Sequence, residues 1–388
     1  MQVFKKQRIP IKLWADRIDE NAMVQAEDLA SLPFAYHHIA LMPDVHCGLG
    51  MPIGGVLVTK GVVVPNAVGV DIGCGMCAVK SSLRVEEVNR KSLSKVLELI
   101  KERVPVGMEH HAHLCDESLL PQGYDVEKLP YVKTQLTAAR HQLGTLGGGN
   151  HFMEIQKSKE GDVWMMIHSG SRNVGKRVAD HYGKIAKRLN AMWYSSTVEG
   201  LEFLPIEAAE AKAYWNEMLW CVDFALCNRR AMMDAMCESL SSVFPHVEFE
   251  PMINIAHNYA AWENHFGRDV IVHRKGATRA YNGEIGIIPG SQGSKSYIVQ
   301  GLGNPESFMS CSHGAGRVMG RREACNVLDL KKEIRIMNAK GIIHGISERR
   351  HLDEAPSAYK DIDTVMANQV DLVKPIVQLS PLAVIKGD

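Results

Sequence analysis

Five residues able to hold a cation lie in loops of small residues. Asp71 and Cys74 stand three apart in VGVDIGCGM, where Gly69, Gly73 and Gly75 let the backbone bend until a carboxylate and a thiolate can face one ion. His151 follows Leu-Gly-Gly-Gly-Asn, His168 closes the apolar run VWMMI before Ser-Gly-Ser-Arg, and His257 sits in INIAHN. Each occupies a junction between an apolar run and polar residues, from which a rigid element presents a ligand well. Singly, such a histidine is more often structural, and a cysteine in a glycine loop is merely small. Together, one Asp, one Cys and three His suggest a divalent site in which the thiolate could bridge two ions. Cys74-Gly-Met-Cys77 also matches C-x-x-C, but no second pair completes a four-cysteine zinc site. On intrinsic affinity alone, nitrogen and sulfur donors favour zinc over manganese.

A second group of residues suits phosphate. PGSQGSKSY (289–297) and SCSHGAGR (310–317) carry glycines that let backbone N–H groups approach an oxyanion, with serine hydroxyls as further donors. HSGSR adds Arg172, a bidentate phosphate partner. His313 differs from the other histidines: Gly314, Ala315 and Gly316 remove bulk beside it, and Arg317 follows at a distance suited to a phosphate. Neutral imidazole is a competent nucleophile at phosphorus and, with an unperturbed pKa of ~6.5, is available at neutral pH. A sixth metal ligand or a helix-start histidine are the alternatives. The chain has no Walker loop and no K-x-D-G motif of nucleotidyl transfer.

These residues need elements to carry them. GGVLVTKGVVV (54–64) and VWMMI (163–167) read as strands, and the first 80 residues as short strands joined by glycine turns. Residues 85–104 space apolar side chains three and four apart, as an amphipathic helix does. From 173 to about 244 only three glycines and one proline occur, which marks a helical excursion, a hairpin broken near Gly200–Pro205. Strands and glycine loops return afterwards. Strand runs flanking a helical block indicate α+β rather than alternating winding. The chemistry-bearing motifs run from residue 43 to 317, so their convergence on one place would make 1–388 a single catalytic domain.

Composition narrows the class. With 44 basic and 44 acidic residues among 388, the formal charge is zero, which argues against indiscriminate polyanion binding but leaves room for a locally basic groove. No apolar stretch approaches the ~18 residues of a membrane span, and the basic N-terminus lacks the apolar core of a secretory signal. Nine scattered cysteines fit a reducing compartment. A cytoplasmic enzyme is the expectation.

PDVHCGLGMPIGG, VGVDIGCGM, LGTLGGGNHFMEI, HSGSR, HRKGATRAY, PGSQGSKSY, SHGAGR and the terminal AVIKG, in that order, strongly resemble the RtcB family of RNA-splicing ligases from about residue 36 onward. The resemblance implies joining of RNA 2′,3′-cyclic phosphate or 3′-phosphate ends to 5′-hydroxyl ends, with GTP and two Mn²⁺. It implies Asp71, Cys74 and His151 around one ion, Cys74, His168 and His257 around the other, and His313 as the guanylylated residue. Asn150, Phe152, Glu154, Ser291, Ser296 and Lys386 would bind the nucleotide, Tyr359 would stack on guanine, and Arg172 and Arg317 would meet RNA phosphates. The implied fold is a β-sandwich-like centre surrounded by helices. An archease-like activator belongs to the same expectation.

Gln292 replaces a common methionine in the PGS loop, and the chain is short for the family. Further basic candidates for RNA are RNVGKR (172–177), GKIAKR (183–188), Arg279, Arg321 and Arg322. The competing function is a metal-dependent RNA cyclic phosphodiesterase or phosphatase with the same ligands and no nucleotidyl step.

Overall fold

The computed structural model describes residues 1–387. It is an α+β protein with two large sheets. The first has six strands in the order Gln2–Phe4, Ile11–Leu13, Ile39–His46, Ile53–Thr59, Arg268–Lys275 and Asn258–His265. The second has seven, in the order Ile253–Ala256, Gly75–Arg84, Asp162–Ser169, Phe152–Ser158, Val373–Lys386, Ser296–Gly301 and Ile285–Ile288. Alternate residues of this sheet, among them Met76, Phe152, Trp164, Met166, Ile287, Ile298 and Leu379, pack with Ile253 and Ile255 into one cluster. The opposite face, with Cys77, Val79, Met153, Ile155, Met165 and Ile167, packs in a second cluster, so the central strands are buried on both sides and read as continuous apolar runs such as VWMMI.

The helical excursion is two helices, Arg172–Met192 and Ala209–Val243, joined through 193–208. The break is wider than Gly200–Pro205 because Leu204–Pro205 pairs as a short strand with Val62–Val63. The first half of the long helix buries Tyr214, Met218, Trp220, Cys221 and Phe224 against Val174, Val178 and Tyr182 of its neighbour. Its second half buries Met232, Met233, Met236 and Leu240 against the seven-stranded sheet and the helix Arg90–Arg103. Each such side chain contributes roughly 1.5–3 kcal/mol on leaving water. No helix of the described residues is long and apolar enough to cross a membrane.

Several expectations need correction. The helix expected over 85–104 begins at Arg90, because the Asn89 carboxamide oxygen accepts from the N–H groups of Lys91 and Ser92 at 3.0 Å and caps it there; Val85–Glu87 is a 3₁₀ turn. The strand-rich N-terminal region contains a helix, Glu20–Ser31, capped by Asp19. Pro130–Gln142 forms another, and the C-terminal region adds Arg321–Val327, Leu330–Ala339 and Ile362–Ala367.

Candidate active site

Strand register explains why four distant residues meet. The strands Ile253–Ala256, Gly75–Arg84, Asp162–Ser169 and Phe152–Ser158 are adjacent and antiparallel, with Gly75 opposite both Ala256 and Ser169, and Phe152 opposite His168. Cys74 and His151 immediately precede their strands, His168 is one residue from the end of its own, and His257 follows its strand. All four consequently stand at one end of the sheet. His257 is also where the chain leaves the seven-stranded sheet for the six-stranded one. Asp71 reaches the group through a tight turn in which the Cys74 N–H donates to the Asp71 carbonyl at 3.1 Å. A side chain at Gly170 would place its Cβ 2.3 Å from Asp71 Oδ1, so only glycine admits the carboxylate.

The donor atoms form two sets, Asp71–Cys74–His151 and Cys74–His168–His257, each with its ligand atoms within 4.8 Å of one another and with the sulfur common to both. Cys74 Sγ lies 3.2 Å from His168 Nε2 and 3.6 Å from His151 Nε2. His151 Nε2 is 3.1 Å from Asp71 Oδ2, and the Nε2 atoms of His168 and His257 are 3.3 Å apart. The tautomers are fixed from behind: His151 Nδ1 donates to the Leu146 carbonyl at 2.9 Å and His168 Nδ1 to that of Asn150 at 3.1 Å. A carbonyl only accepts, so each Nε2 turns a lone pair toward the sulfur, the arrangement by which a histidine held at Nδ1 ligates a metal through Nε2. Burial, followed by the neighbouring histidines, holds His168 and His257 well below the usual imidazole range. Burial and then the Asp71 carboxylate push the Cys74 thiol well above its own range. Imidazole lone pairs and a sulfur converging in a buried space suit a divalent cation, whose charge would favour the thiolate that burial disfavours.

The long helix Ala209–Val243 anchors these loops. Asn228 accepts from the Gly144 and Thr145 N–H groups and donates to the Thr145 and Gly170 carbonyls. Buried Arg229 donates to the carbonyls of Gly73 at 2.9 Å and Ser169 at 2.8 Å, and to Asn254 Oδ1 at 2.7 Å. Sequence reading missed this pair; the signal was Asn228 and Arg229 falling on the face of the helix that buries Cys221, Phe224, Ala225, Met232 and Met236.

His313 follows the strand Ser310–Ser312, and its ring centroid is 4.8 Å from that of His257. Its Nδ1 lies 2.6 Å from Asp44 Oδ2, and the same oxygen accepts the His313 backbone N–H at 3.1 Å. Asp44 is fully buried, and its Oδ1 has no protein partner among the described residues. With Nδ1 donating, Nε2 is the free nucleophilic nitrogen. Gly316, at φ +73°, passes so close that a Cβ would lie 2.1 Å from the Asp44 carbonyl oxygen. Asp44 was visible in PDVHCGLG, but nothing in sequence tied it to a residue 269 positions away.

Residues 25–387 match the model of the family described as tRNA-splicing ligase RtcB. An RNA-splicing ligase RtcB of Escherichia coli K12 is 38% identical over 416 aligned residues, covering 100% of this chain and 99% of that protein. The chain belongs to the RtcB family. A tRNA-splicing ligase RtcB of Pyrobaculum aerophilum is 32% identical, with 98% of this chain and 95% of that protein covered. An RNA-splicing ligase RtcB of Mycobacterium bovis is 31% identical, over 94% of this chain and 100% of its own.

Of the positions to which the RtcB resemblance gave a nucleotide role, Asn150, Phe152, Ser291, Tyr359 and Lys386 line a cavity of about 740 Å³ together with His313 and the five candidate cation donors. Glu154 and Ser296 sit behind that wall, 3% and 1% exposed. Gln156 Nε2 donates to both, at 2.5 Å to Glu154 Oε2 and 3.3 Å to Ser296 Oγ, and burial raises the Glu154 carboxyl to about 7. Arg317 lines the cavity with its donors turned inward, to the Met319 and Asp353 carbonyls, to Glu354 Oε1 at 3.0 Å and to Tyr359. Arg172 is off the wall: its Nε donates to Thr145 Oγ1 at 3.0 Å and its Nη2 to the Gly107 carbonyl at 3.4 Å, beneath the glycine loop. Arg279 is neutralised by Glu284.

Glu354 was missed altogether. Burial alone would raise its carboxyl, yet Lys386, Arg321 and Arg317 hold it at about 2, and the Tyr359 hydroxyl donates to it. Gln292 Nε2 donates to the Glu354 carbonyl at 2.8 Å, so the residue that departs from the family pattern ties the PGS loop to this wall.

Proposed function

We propose that the protein joins RNA 2′,3′-cyclic phosphate or 3′-phosphate ends to 5′-hydroxyl ends through a guanylylated His313. The observation that carries this reading is the free Nε2 of His313, oriented by Asp44, in one cavity with both cation donor sets and the wall of Ser291, Tyr359 and Lys386. His313 Nε2 attacks the α-phosphorus of GTP; an N–P bond forms and the P–O bond to pyrophosphate breaks. Asp44 accepts from Nδ1–H throughout and stabilises the positive charge that develops on the ring.

A terminal 3′-phosphate is a poor electrophile because its charge repels nucleophiles and no good leaving group is attached. After water opens a cyclic phosphate, a 3′-phosphate oxygen takes the guanylyl group from His313. The 5′-hydroxyl oxygen then attacks the RNA phosphorus, losing its proton, and GMP departs. Two manganese ions, one on Asp71, Cys74 and His151 and one on Cys74, His168 and His257, would supply charge neutralisation at the reacting phosphates. Tyr359 suits stacking on the base. Glu154, as carboxylate, suits acceptance from the guanine N1–H and amino group once the base reaches past Phe152. The reading places the enzyme in the cytoplasm, which nine free cysteines support.

Intact mass after incubation with GTP and Mn²⁺ tests this. A GMP adduct is expected and is absent in His313→Ala; a wild-type protein that opens cyclic phosphates without ever carrying the adduct is the phosphodiesterase instead.

A further inference from the structure

The helix Arg172–Met192 starts beside the catalytic centre and leads away from it. Just before its N-terminal end, His168 and Gly170 belong to the loops of the candidate cation site, and further along a Cβ at Gly183 would lie 3.9 Å from Asn66 Oδ1. Three and four residues beyond Asn66, Gly69 and Val70 line the catalytic cavity. The solvent face of this helix is strongly basic. At 100° per residue, Lys176, Arg177, Lys184, Lys187 and Arg188 fall within an arc of about 120°, all exposed, against a single Asp180. Lys176 is paired with Asp180 at 2.6 Å and Lys187 with Glu199 at 2.9 Å. Arg177, Lys184 and Arg188 have no ion pair among the described residues, and they lie within about 40° of one another, spaced about 10 and 6 Å along the axis.

The row ends at an unusual surface. Met192, Trp193 and Tyr194 are consecutive and exposed, at 65%, 44% and 95%. Tyr194 is the most exposed large apolar side chain among the described residues, and its backbone is left-handed at φ +52°, which turns the chain out at the helix end. Trp193 is braced by Phe203, with ring centroids 6.3 Å apart. A row of unpaired cations ending in two presented rings has the makeup of a single-strand platform: cations follow the backbone and π-faces accept bases of any sequence.

Resting on the ligase reading, we propose that a single-stranded RNA arm leaves the cavity near Val70, follows Arg177, Lys184 and Arg188, and stacks a base on Tyr194 and Trp193. The chain is neutral overall, so this helix supplies the local charge that an RNA enzyme needs, and it grips RNA well away from the reacting ends. An acidic protein segment or an anionic membrane would meet the same cations but would gain nothing from the rings that is tied to strand length.

Fluorescence anisotropy with labelled single-stranded RNAs of 4 and 20 nucleotides separates these readings. The wild type binds the long RNA more tightly. In Arg177→Gln/Lys184→Gln/Arg188→Gln, the slope of log K against log salt for the long RNA is less steep by about 2, that is ~0.7 for each of three phosphates, while binding of the short RNA is unchanged. Tyr194→Ala weakens the long RNA by roughly 5- to 100-fold, the worth of a stacked base. His313 guanylylation is unchanged in both variants. An unaltered salt slope overturns the track, equal loss for short and long RNA overturns its direction, and an unaffected Tyr194→Ala overturns the stacking. Absence of guanylylation in the wild type would defeat the ligase reading, while the anisotropy would still decide the track.

Discussion

Asp44→Asn isolates what the carboxylate does for His313. One oxygen, Oδ2, accepts both the His313 backbone N–H at 3.1 Å and Nδ1–H at 2.6 Å, and Oδ1 lacks a protein partner. Asparagine can place its oxygen at the Oδ2 position and its NH₂ in the other, so orientation and tautomer survive. What disappears is the negative charge against a ring that becomes positive as Nε2 bonds to phosphorus. A hydrogen bond to a charged group is worth about 1.5–3 kcal/mol, against about 1 for a neutral one. The net loss of about 0.5–2 kcal/mol slows guanylylation by roughly 2- to 30-fold at unchanged metal content. Asp44→Ala, which also frees the ring to rotate, should lose considerably more. Single-turnover adduct formation, quenched and followed by intact mass, measures both rates. If Asp44→Asn and Asp44→Ala both react at the wild-type rate, Asp44 does not act on His313 and the assignment of the nucleophile falls with it.

Cys74→Ser removes the one donor shared by both sets, so manganese bound per chain, read from the free-ion EPR signal, should fall from two toward zero; retention of both ions would refute a bridging sulfur. Burial raises Glu154 from 4.5 to about 7, so between those values the folded state keeps a proton that the unfolded chain releases, and stability declines as pH rises through that window. Glu154→Gln should therefore gain up to about 3 kcal/mol at pH 7.5 and nothing near pH 4 in urea unfolding, while losing selectivity for GTP; a pH-independent difference contradicts the first claim and intact selectivity the second. Arg229→Met leaves the Gly73 and Ser169 carbonyls without their donor, and should lower stability by about 1–3 kcal/mol for each and weaken manganese binding, both measurable by calorimetry; unchanged metal affinity would detach the helix from the cation loops.

What sequence disclosed was the chemistry concentrated in short motifs. Asp71, Cys74, His151, His168 and His257 were legible as candidate cation donors because Cys74 and the three histidines sit at strand ends beside small residues, with Asp71 in the turn before Cys74. The long helix was legible from its want of glycine and proline. Asp44, Glu354, Asn228 and Arg229 were not, because each acts on a partner far off in the chain, and only register and helix packing bring them together. Arg172 and Arg317 show the converse: motif membership marked them, but their guanidinium groups spend their donors inside the protein, one under the glycine loop and one behind Tyr359. The helix Glu20–Ser31 was hidden among strand signals, although its Asp19 cap was there to read.

The strand Val373–Lys386 lies between Ser296–Gly301 and Phe152–Ser158, joining the portion of the sheet that carries the metal loops to the portion that carries the PGS loop. It also delivers Lys386 to the cavity. The consequence is one of timing. The strand between Phe152–Ser158 and Ser296–Gly301 is among the last parts of the chain to be made, so the hydrogen bonds that span the two portions of the sheet through it form only once residues 373–386 have been added.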